Sequence, residues 1–404
     1  MKILHINAVN KIRSTGRMIE EMNTYLSDYN VESVVAYSVG PHDDKSYRIN
    51  NIIDAKVHAM LSRITGKQGY FSKKSTGKLI EYIRRFQPDI IHLHNLHSNY
   101  INVPELLNFI SKDNIPLVLT LHDCWFFTGK CTHYFDEKCY KWQTICNKCP
   151  QLKKDNKSIF FDKTEKMFLD KKKLFSNINN LYVIGVSKWI TDEAKKSPIL
   201  QKANVIKTVH NWVDTNKFCY RELKVSEKIK FDGYDKIILG VASNWSKSKG
   251  IDRFISLSKR LKKNECIVLI GNINQDQDLP KNVINIKETH DENELIKYYL
   301  SADVFVNFSS QESFGKVTVE ALACGLPAIV GDSTANPEII NSSCGYILNN
   351  YEEEKVIKLL DNIFINGREY YKDNCIKFVQ KNFNLEKQIN KYFKFYEGIL
   401  KKEI

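Results

Sequence analysis

Ser309-Ser-Gln-Glu-Ser-Phe-Gly-Lys-Val-Thr-Val-Glu-Ala-Leu-Ala-Cys-Gly-Leu-Pro327 carries the pattern on which the fold turns. The apolar run before it, Val304 to Phe308, predicts a buried strand, and the run from Lys316 to Ala323 predicts a helix stopped by Gly325 and Pro327. A polar loop ending in Gly315 joins them. The first backbone N–H groups of such a helix lack internal partners and carry the positive end of its dipole, so a phosphate fits on Gly315, Lys316 and Val317. Glu320 falls one turn beyond Lys316 on the same face, where a carboxylate accepts from both hydroxyls of a ribose. Glu312 precedes the helix, on the side where a sugar attached to that phosphate would hang.

The same alternation runs outward through the chain. Lys2 to Asn7, Val31 to Tyr37, Ile90 to Leu93 and Leu117 to Leu121 read as strands, with a helix from Arg17 to Leu26. In the second half, Ile237 to Ala242 and Cys266 to Ile270 read as strands, and Glu292 to Leu300 as a helix. That order predicts parallel sheets covered by helices, with ligands gathering beyond the carboxyl ends of the strands. At 404 residues the chain has room for two such α/β domains.

Glu312-x7-Glu320 with Phe314-Gly315 between and Ala-Cys-Gly-Leu-Pro after it resembles the donor-binding signature of retaining glycosyltransferases with the GT-B fold, the family 4 or group 1 type. The resemblance implies two Rossmann-like parallel-sheet domains facing a central cleft and a C-terminal helix crossing back to the first. The expected divisions are 1–215 for an acceptor-binding domain with a Cys-rich insertion at about 124–150, 216–234 for a linker, 235–385 for the nucleotide-sugar domain and 386–404 for the returning helix. It further implies transfer of a sugar from a nucleotide diphosphate to a saccharide or lipid-linked saccharide in surface polysaccharide biosynthesis. Anomeric configuration would be retained, and no cofactor would be required for catalysis.

Within the first half, Ser14-Thr15-Gly16 reads as a loop before a helix, with Gly16 allowing close backbone approach to a donor. His94, Asn95 and His97 follow a strand and are expected to contact the acceptor; a metal on His92, His94 and His97 is disfavoured because no carboxylate or cysteine completes the set. His122 ends another strand beside Asp123, in Thr-x-His-Asp, and the family resemblance assigns it to the donor sugar as a catalytic residue. In the second half Lys249 precedes a helix, its ammonium within reach of a diphosphate oxygen. The family's partner arginine is replaced here by Asn244, leaving Lys247 as the substitute cation. Catalysis is thereby assigned to His122, Lys249 and Glu312, and donor binding to Gly16, Asn244, Lys247, Lys249, Phe314, Gly315, Lys316, Val317 and Glu320. Asp276-x-Asp278, beside Pro280, reads as a turn rather than a metal site.

Cys131-x7-Cys139-x6-Cys146-x2-Cys149 leaves three readings open: a structural zinc, free thiols or regulatory disulfides. The net charge of +13 is concentrated in residues 1–220, which hold 33 Lys+Arg against 21 Asp+Glu. Such a field suits an anionic partner, and equally a solvated lysine-rich surface. Lys153 to Lys173 mixes lysines with Ile159, Phe160, Phe161, Met167 and Phe168, which fits a helix lying on an anionic bilayer. With no apolar run of membrane-span length and no signal-peptide core, a cytoplasmic protein is expected, peripheral to the inner face of a membrane. Two rivals share these features: a GT-B phosphorylase or sugar-nucleotide epimerase, and a zinc-supported nucleic-acid binder. The latter, and nucleic acid as a partner, are disfavoured because the basic stretches are lysine-dominated and lack a recognition motif.

Overall fold

A computed structural model describes residues 1–274, 277–289 and 291–404, so the expected Asp276-x-Asp278 turn lies outside the described residues at its first aspartate. The chain forms two compact units, Met1–Val209 with Ile389–Ile404, and His210–Gln388.

The first unit holds strands β1 (Lys2–Val9), β2 (Glu32–Val39), β3 (Ser46–Arg48), β4 (Ile90–Leu93), β5 (Leu117–Leu121), β6 (Leu181–Gly185) and β7 (Val205–Thr208). They make one seven-stranded parallel sheet in the order β3-β2-β1-β4-β5-β6-β7. Its helices are α1 (Arg13–Ser27), α2 (Ile52–Thr65), α3 (Lys73–Phe86), α4 (Val103–Lys112), α5 (Thr164–Ser176) and α6 (Lys188–Lys195). Strands β4, β5 and β6 are buried at every residue, the condition of parallel strands covered on both faces. The strand order reverses between β1 and β4, and ligand crevices of such sheets open at that point.

The second unit holds β8 (Lys236–Asn244), β9 (Glu265–Asn272), β10 (Val283–Ile286), β11 (Val304–Asn307), β12 (Ala328–Gly331) and β13 (Gly345–Leu348), parallel throughout, in the order β10-β9-β8-β11-β12-β13. Its helices are α7 (Ile251–Ser258), α8 (Glu292–Ser301), α9 (Lys316–Ala323), α10 (Glu353–Asn366) and α11 (Arg368–Asn382). The reversal here falls between β8 and β11. The units divide at Val209 and His210 rather than at 215, because His210 packs edge-on against Phe383 and lies 3.3 Å from the Glu338 carboxylate of the second unit. Residues 216–234 are not a free linker: they belong to the second unit, where the Ile229 N–H donates to Ser301 Oγ at 3.0 Å.

The last helix, α12 (Leu385–Lys401), returns to the first unit from Ile389 onward. Ile389, Tyr392, Phe395 and Tyr396 are buried at helical spacing. Tyr396 Oη meets His92 Nδ1 at 2.7 Å, and Tyr392 Oη lies 3.3 Å from Thr120 Oγ1. α12 thus reaches the central strands by hydrogen bonds as well as by packing. Tyr396→Phe leaves His92 Nδ1 buried without a partner and should cost about 1–3 kcal/mol, read as a lowered urea midpoint for the unit carrying β1 to β7.

Candidate functional site

In the second unit, two loops leave the carboxyl ends of β8 and β11 on either side of the reversal. The β8 loop runs to Gly250, whose φ of +81° and closeness to Phe308, 2.5 Å from where a Cβ would stand, exclude a side chain. The β11 loop lies against it: Ser310 N–H and Oγ both donate to the Ser248 carbonyl, at 2.9 and 3.1 Å, and Arg253 Nη1 donates to the Phe308 carbonyl at 3.2 Å. Across this seam Lys249 Nζ meets Glu312 Oε1 at 2.5 Å, with side chains 34% and 17% exposed. The ammonium expected on a diphosphate and the carboxylate expected on a sugar therefore share one place.

Gly315 caps α9 at φ +92°, where a Cβ would lie 2.6 Å from Ile339 Cδ1, and no side chain caps this helix start. Lys316 and Val317, half-buried, form its first turn. The loop is held by residues that carry no obvious motif. Asn307 accepts from Ser309 N–H at 2.9 Å and donates to Thr318 Oγ1 at 3.1 Å; Asn336 Nδ2 donates to the Ser309 carbonyl at 3.2 Å; Thr334 Oγ1 accepts from Glu312 N–H at 2.8 Å. Sequence reasoning assigned no role to Asn307 or Asn336, the first lying inside the apolar run Val304 to Phe308 and the second before Pro337 in a turn-forming stretch.

The remaining donor-site candidates differ in their surroundings. Phe314 is buried against His210 and Phe383 and serves the interior of the second unit. Glu320 is 7% exposed and accepts from Tyr299 Oη at 3.2 Å, while burial first and Glu320's charge second push the Tyr299 phenol well above its ordinary range. Asn244 closes β8 in an exposed position, and Lys247 is exposed in the following turn. Gly16 is not in a loop: α1 begins at Arg13, made possible by left-handed Lys11 and Arg13, and a Cβ on Gly16 would stand 3.0 Å from Lys11 N.

In the first unit the histidines gather beside the β1–β4 reversal. His5 Nδ1 lies 3.1 Å from His94 Nε2, and His94 Nδ1 lies 3.0 Å from His122 Nε2. His5, on β1, was not singled out in the sequence because, with Asn7 two residues on, it reads only as a polar interruption of an apolar strand. Burial pushes His5 down to about 3 and His122 down to about 4, and His92 and His94 well below the ordinary range, so all four are neutral near pH 7. A neutral imidazole donates once and accepts once, so a row of three must donate in one direction. His5 Nε2 is buried without a partner, and a bare acceptor there costs less than an orphaned N–H. The row therefore runs from His5 to His94 to His122, leaving His122 with its proton on Nδ1.

His97 is separate: its Nε2 pairs with Asp123 Oδ2 at 2.9 Å. Burial works to lower it, but the adjacent carboxylate outweighs this and raises it. Asn95 N–H donates to Asn7 Oδ1 at 3.3 Å, so the acceptor candidates His94, Asn95 and His97 face three different partners. Among the described residues, His5, His92 and His94 are the one group of three potential metal-ligating atoms within 4.8 Å of one another. His92 spends both nitrogens on Tyr396 and Thr120, and His94 spends both on His5 and His122, so hydrogen bonding accounts for the group.

Cys131, Cys139, Cys146 and Cys149 line one small cavity of about 20 Å³, with Tyr134 and Trp142 in its wall. Gly129 N–H donates to Cys146 Sγ at 3.2 Å, and Cys131 donates to Cys149, lowering the Cys149 thiol. None of the four is joined in a disulfide. Imidazole titration followed by NMR should find His97 protonated above the ordinary histidine range while His5, His92 and His94 remain neutral at neutral pH, with His122 gaining a proton only near pH 4. A His122 that titrates at its free value would break the row.

Comparison with known proteins bears on both units. Residues 15–217 match the family described as Glycosyltransferase Family 4, and residues 224–381 match Glycosyl transferases group 1. The chain is 24% identical over 287 residues to the colanic acid biosynthesis glycosyl transferase WcaC of Escherichia coli K12, covering 68% of this chain and 66% of that one. It is 27% identical over 168 residues to a protein of the cps region of Klebsiella pneumoniae, covering 41% and 47%. The matched stretch thus spans just under two thirds of the first relative and about half of the second. Among solved structures, the sucrose-phosphate synthase of Thermosynechococcus elongatus superposes with a TM-score of 0.69 at 15% identity over 99% of both chains. HepE of Anabaena, in complex with UDP and glucose, superposes with a TM-score of 0.65 at 14% identity over 98% of this chain and 100% of that one. These two likenesses establish a GT-B architecture and no more. By its sequence match through both units, the chain belongs to the family 4, group 1 glycosyltransferases.

Proposed function

We propose that the protein transfers a sugar from a nucleotide diphosphate to a saccharide or lipid-linked saccharide acceptor during polysaccharide biosynthesis, with retention at the anomeric carbon. The Lys249–Glu312 pair beside the uncapped start of α9 carries this reading. A departing diphosphate gathers negative charge as the glycosidic bond breaks, and a helix start with an adjacent ammonium stabilises that charge more than it stabilises the bound donor. Glu312 holds Lys249 in place and accepts from the sugar's hydroxyls. Glu320, steadied by Tyr299, takes the ribose. With its Nδ1 proton, His122 donates to a sugar oxygen and does not act as a base. The acceptor's proton passes to the departing phosphate oxygen on the same face of the sugar, and no metal enters the step. A relative named for colanic acid biosynthesis and a fold neighbour holding UDP and glucose support the substrate class.

A thermal-shift screen over nucleotide sugars identifies the donor through its stabilisation of the folded chain. With that donor, Lys249→Ala should lower kcat roughly 100- to 1,000-fold, and Glu320→Gln should weaken nucleotide binding while leaving the fold intact. Full turnover in Lys249→Ala would remove the account of leaving-group stabilisation, whichever donor is used.

For the four-cysteine loop we propose a structural zinc. The thiols fit in kind and number and share one cavity about large enough for a single small guest. They ring it more loosely than a zinc tetrahedron, and the ion would draw the sulfurs inward. Elemental analysis of protein purified without chelator should find about one zinc per chain, lost when Cys146 and Cys149 are both changed to serine. Metal-free protein with four titratable thiols would assign the loop's order to Tyr134 and Trp142 alone.

A further inference from the structure

Helix α2 (Ile52–Thr65) is turned inside out. Its buried residues are polar: His58, whose Nδ1 meets Ser72 Oγ at 2.9 Å, and Ser62. Ile53, Val57, Met60 and Ile64, at i, i+4, i+7 and i+11, form a stripe on the opposite side and are exposed, Ile53 at 69%. A core helix has the reverse arrangement. The stripe does not end with the helix. Arg63's carbonyl accepts from Ile159 N–H at 2.8 Å, and the Phe161 carbonyl lies 2.2 Å from where a Cβ on Gly66 would stand. Phe160 and Phe161, 68% and 52% exposed, therefore continue the same apolar surface.

The basic stretch from Lys153 to Lys173 does not lie on a bilayer as a helix. Met167, Phe168, Leu174 and Phe175 of α5 are buried in the first unit, and Lys171 points inward to the Trp125 carbonyl at 2.6 Å. Only the loop before α5 shows its aromatics. Around the exposed stripe, Lys56 and Arg63 share one flank of α2, and Lys157 is exposed one residue before Ser158. Asp54, on the other flank, accepts from Ser75 Oγ at 2.5 Å. An apolar stripe with cations along its edge matches a lipid surface bearing negative headgroups: the side chains enter the acyl boundary, and the cations stay among the phosphates.

We propose that α2 together with the Phe160–Phe161 loop is a membrane-docking surface selective for anionic lipid. The proposal adds a partner to the transfer reaction, and its assay needs no turnover, so either reading fails independently of the other. The full chain should co-sediment with vesicles of phosphatidylglycerol and phosphatidylcholine and not with phosphatidylcholine alone, and salt should weaken the binding. Ile53→Asp with Met60→Asp, and separately Phe160→Ser with Phe161→Ser, should each reduce the bound fraction at least tenfold with an unchanged melting temperature. Lys56→Glu with Arg63→Glu should remove the preference for anionic lipid. Absence of vesicle binding, or binding indifferent to all three variants, overturns the proposal. So does a concentration-dependent dimer that the Ile53 and Met60 changes dissolve, which would identify the occupant as a second copy of this chain.

Discussion

The second unit depends on two loops meeting across the β8–β11 reversal, with Lys249 and Glu312 closing the seam. Parallel neighbours bring their carboxyl ends to one edge, so any loop leaving β8 must pass any loop leaving β11. What distinguishes this passage is how tightly it is fixed. Gly250 admits Phe308 only because it lacks a Cβ, and the Ser248 carbonyl accepts from Ser310 twice over. An ammonium held this way needs little reorganisation when a new anion approaches, the condition under which electrostatic stabilisation is most effective.

Much of this arrangement was legible in the sequence because it rests on periodicity and glycine. The strand–loop–helix around Gly315 and the place of Lys249 before a helix follow from apolar runs and their punctuation, and the return of the last helix was implied by the family resemblance. Gly16 was misplaced because two non-glycine residues, Lys11 and Arg13, adopt left-handed backbone and start α1 earlier than its apolar spacing indicates. Asn307 and Asn336 escaped notice because their work is to tie loops that are distant in sequence. Phe314 carries a motif position yet packs inward, a distinction that only burial reveals. α2 escaped notice for another reason: its period is helical, but the sign is reversed, with the apolar residues outside.

Such reversals are costly, and they cluster. An exposed Ile53 or Phe160 forfeits burial that folding alone would favour, roughly 1.5–3 kcal/mol for a large apolar side chain. Conflicts between local pattern and global burial are expected where a surface has a second task. In the first unit they occur on opposite sides of the same reasoning: apolar residues face solvent on α2, while His5, His92 and His94 occupy the apolar interior of the sheet.

Those interior histidines determine how the chemistry must be divided. Imidazoles packed ring against ring, His92 and His94 tilted by 32° with centroids 4.1 Å apart, cannot share an interior as cations, and burial keeps them neutral. The group supplies direction, a proton fixed on His122 Nδ1 by a row that begins at His5, and it supplies no charge. A reaction that sheds a diphosphate needs charge. On the proposed reading that requirement falls on the second unit, where the carboxylate of Glu312 steadies the ammonium of Lys249 beside the uncapped start of α9. The histidine row, neutral throughout, can hold a hydroxyl by hydrogen bonds alone, with no charge to be compensated in the interior around it.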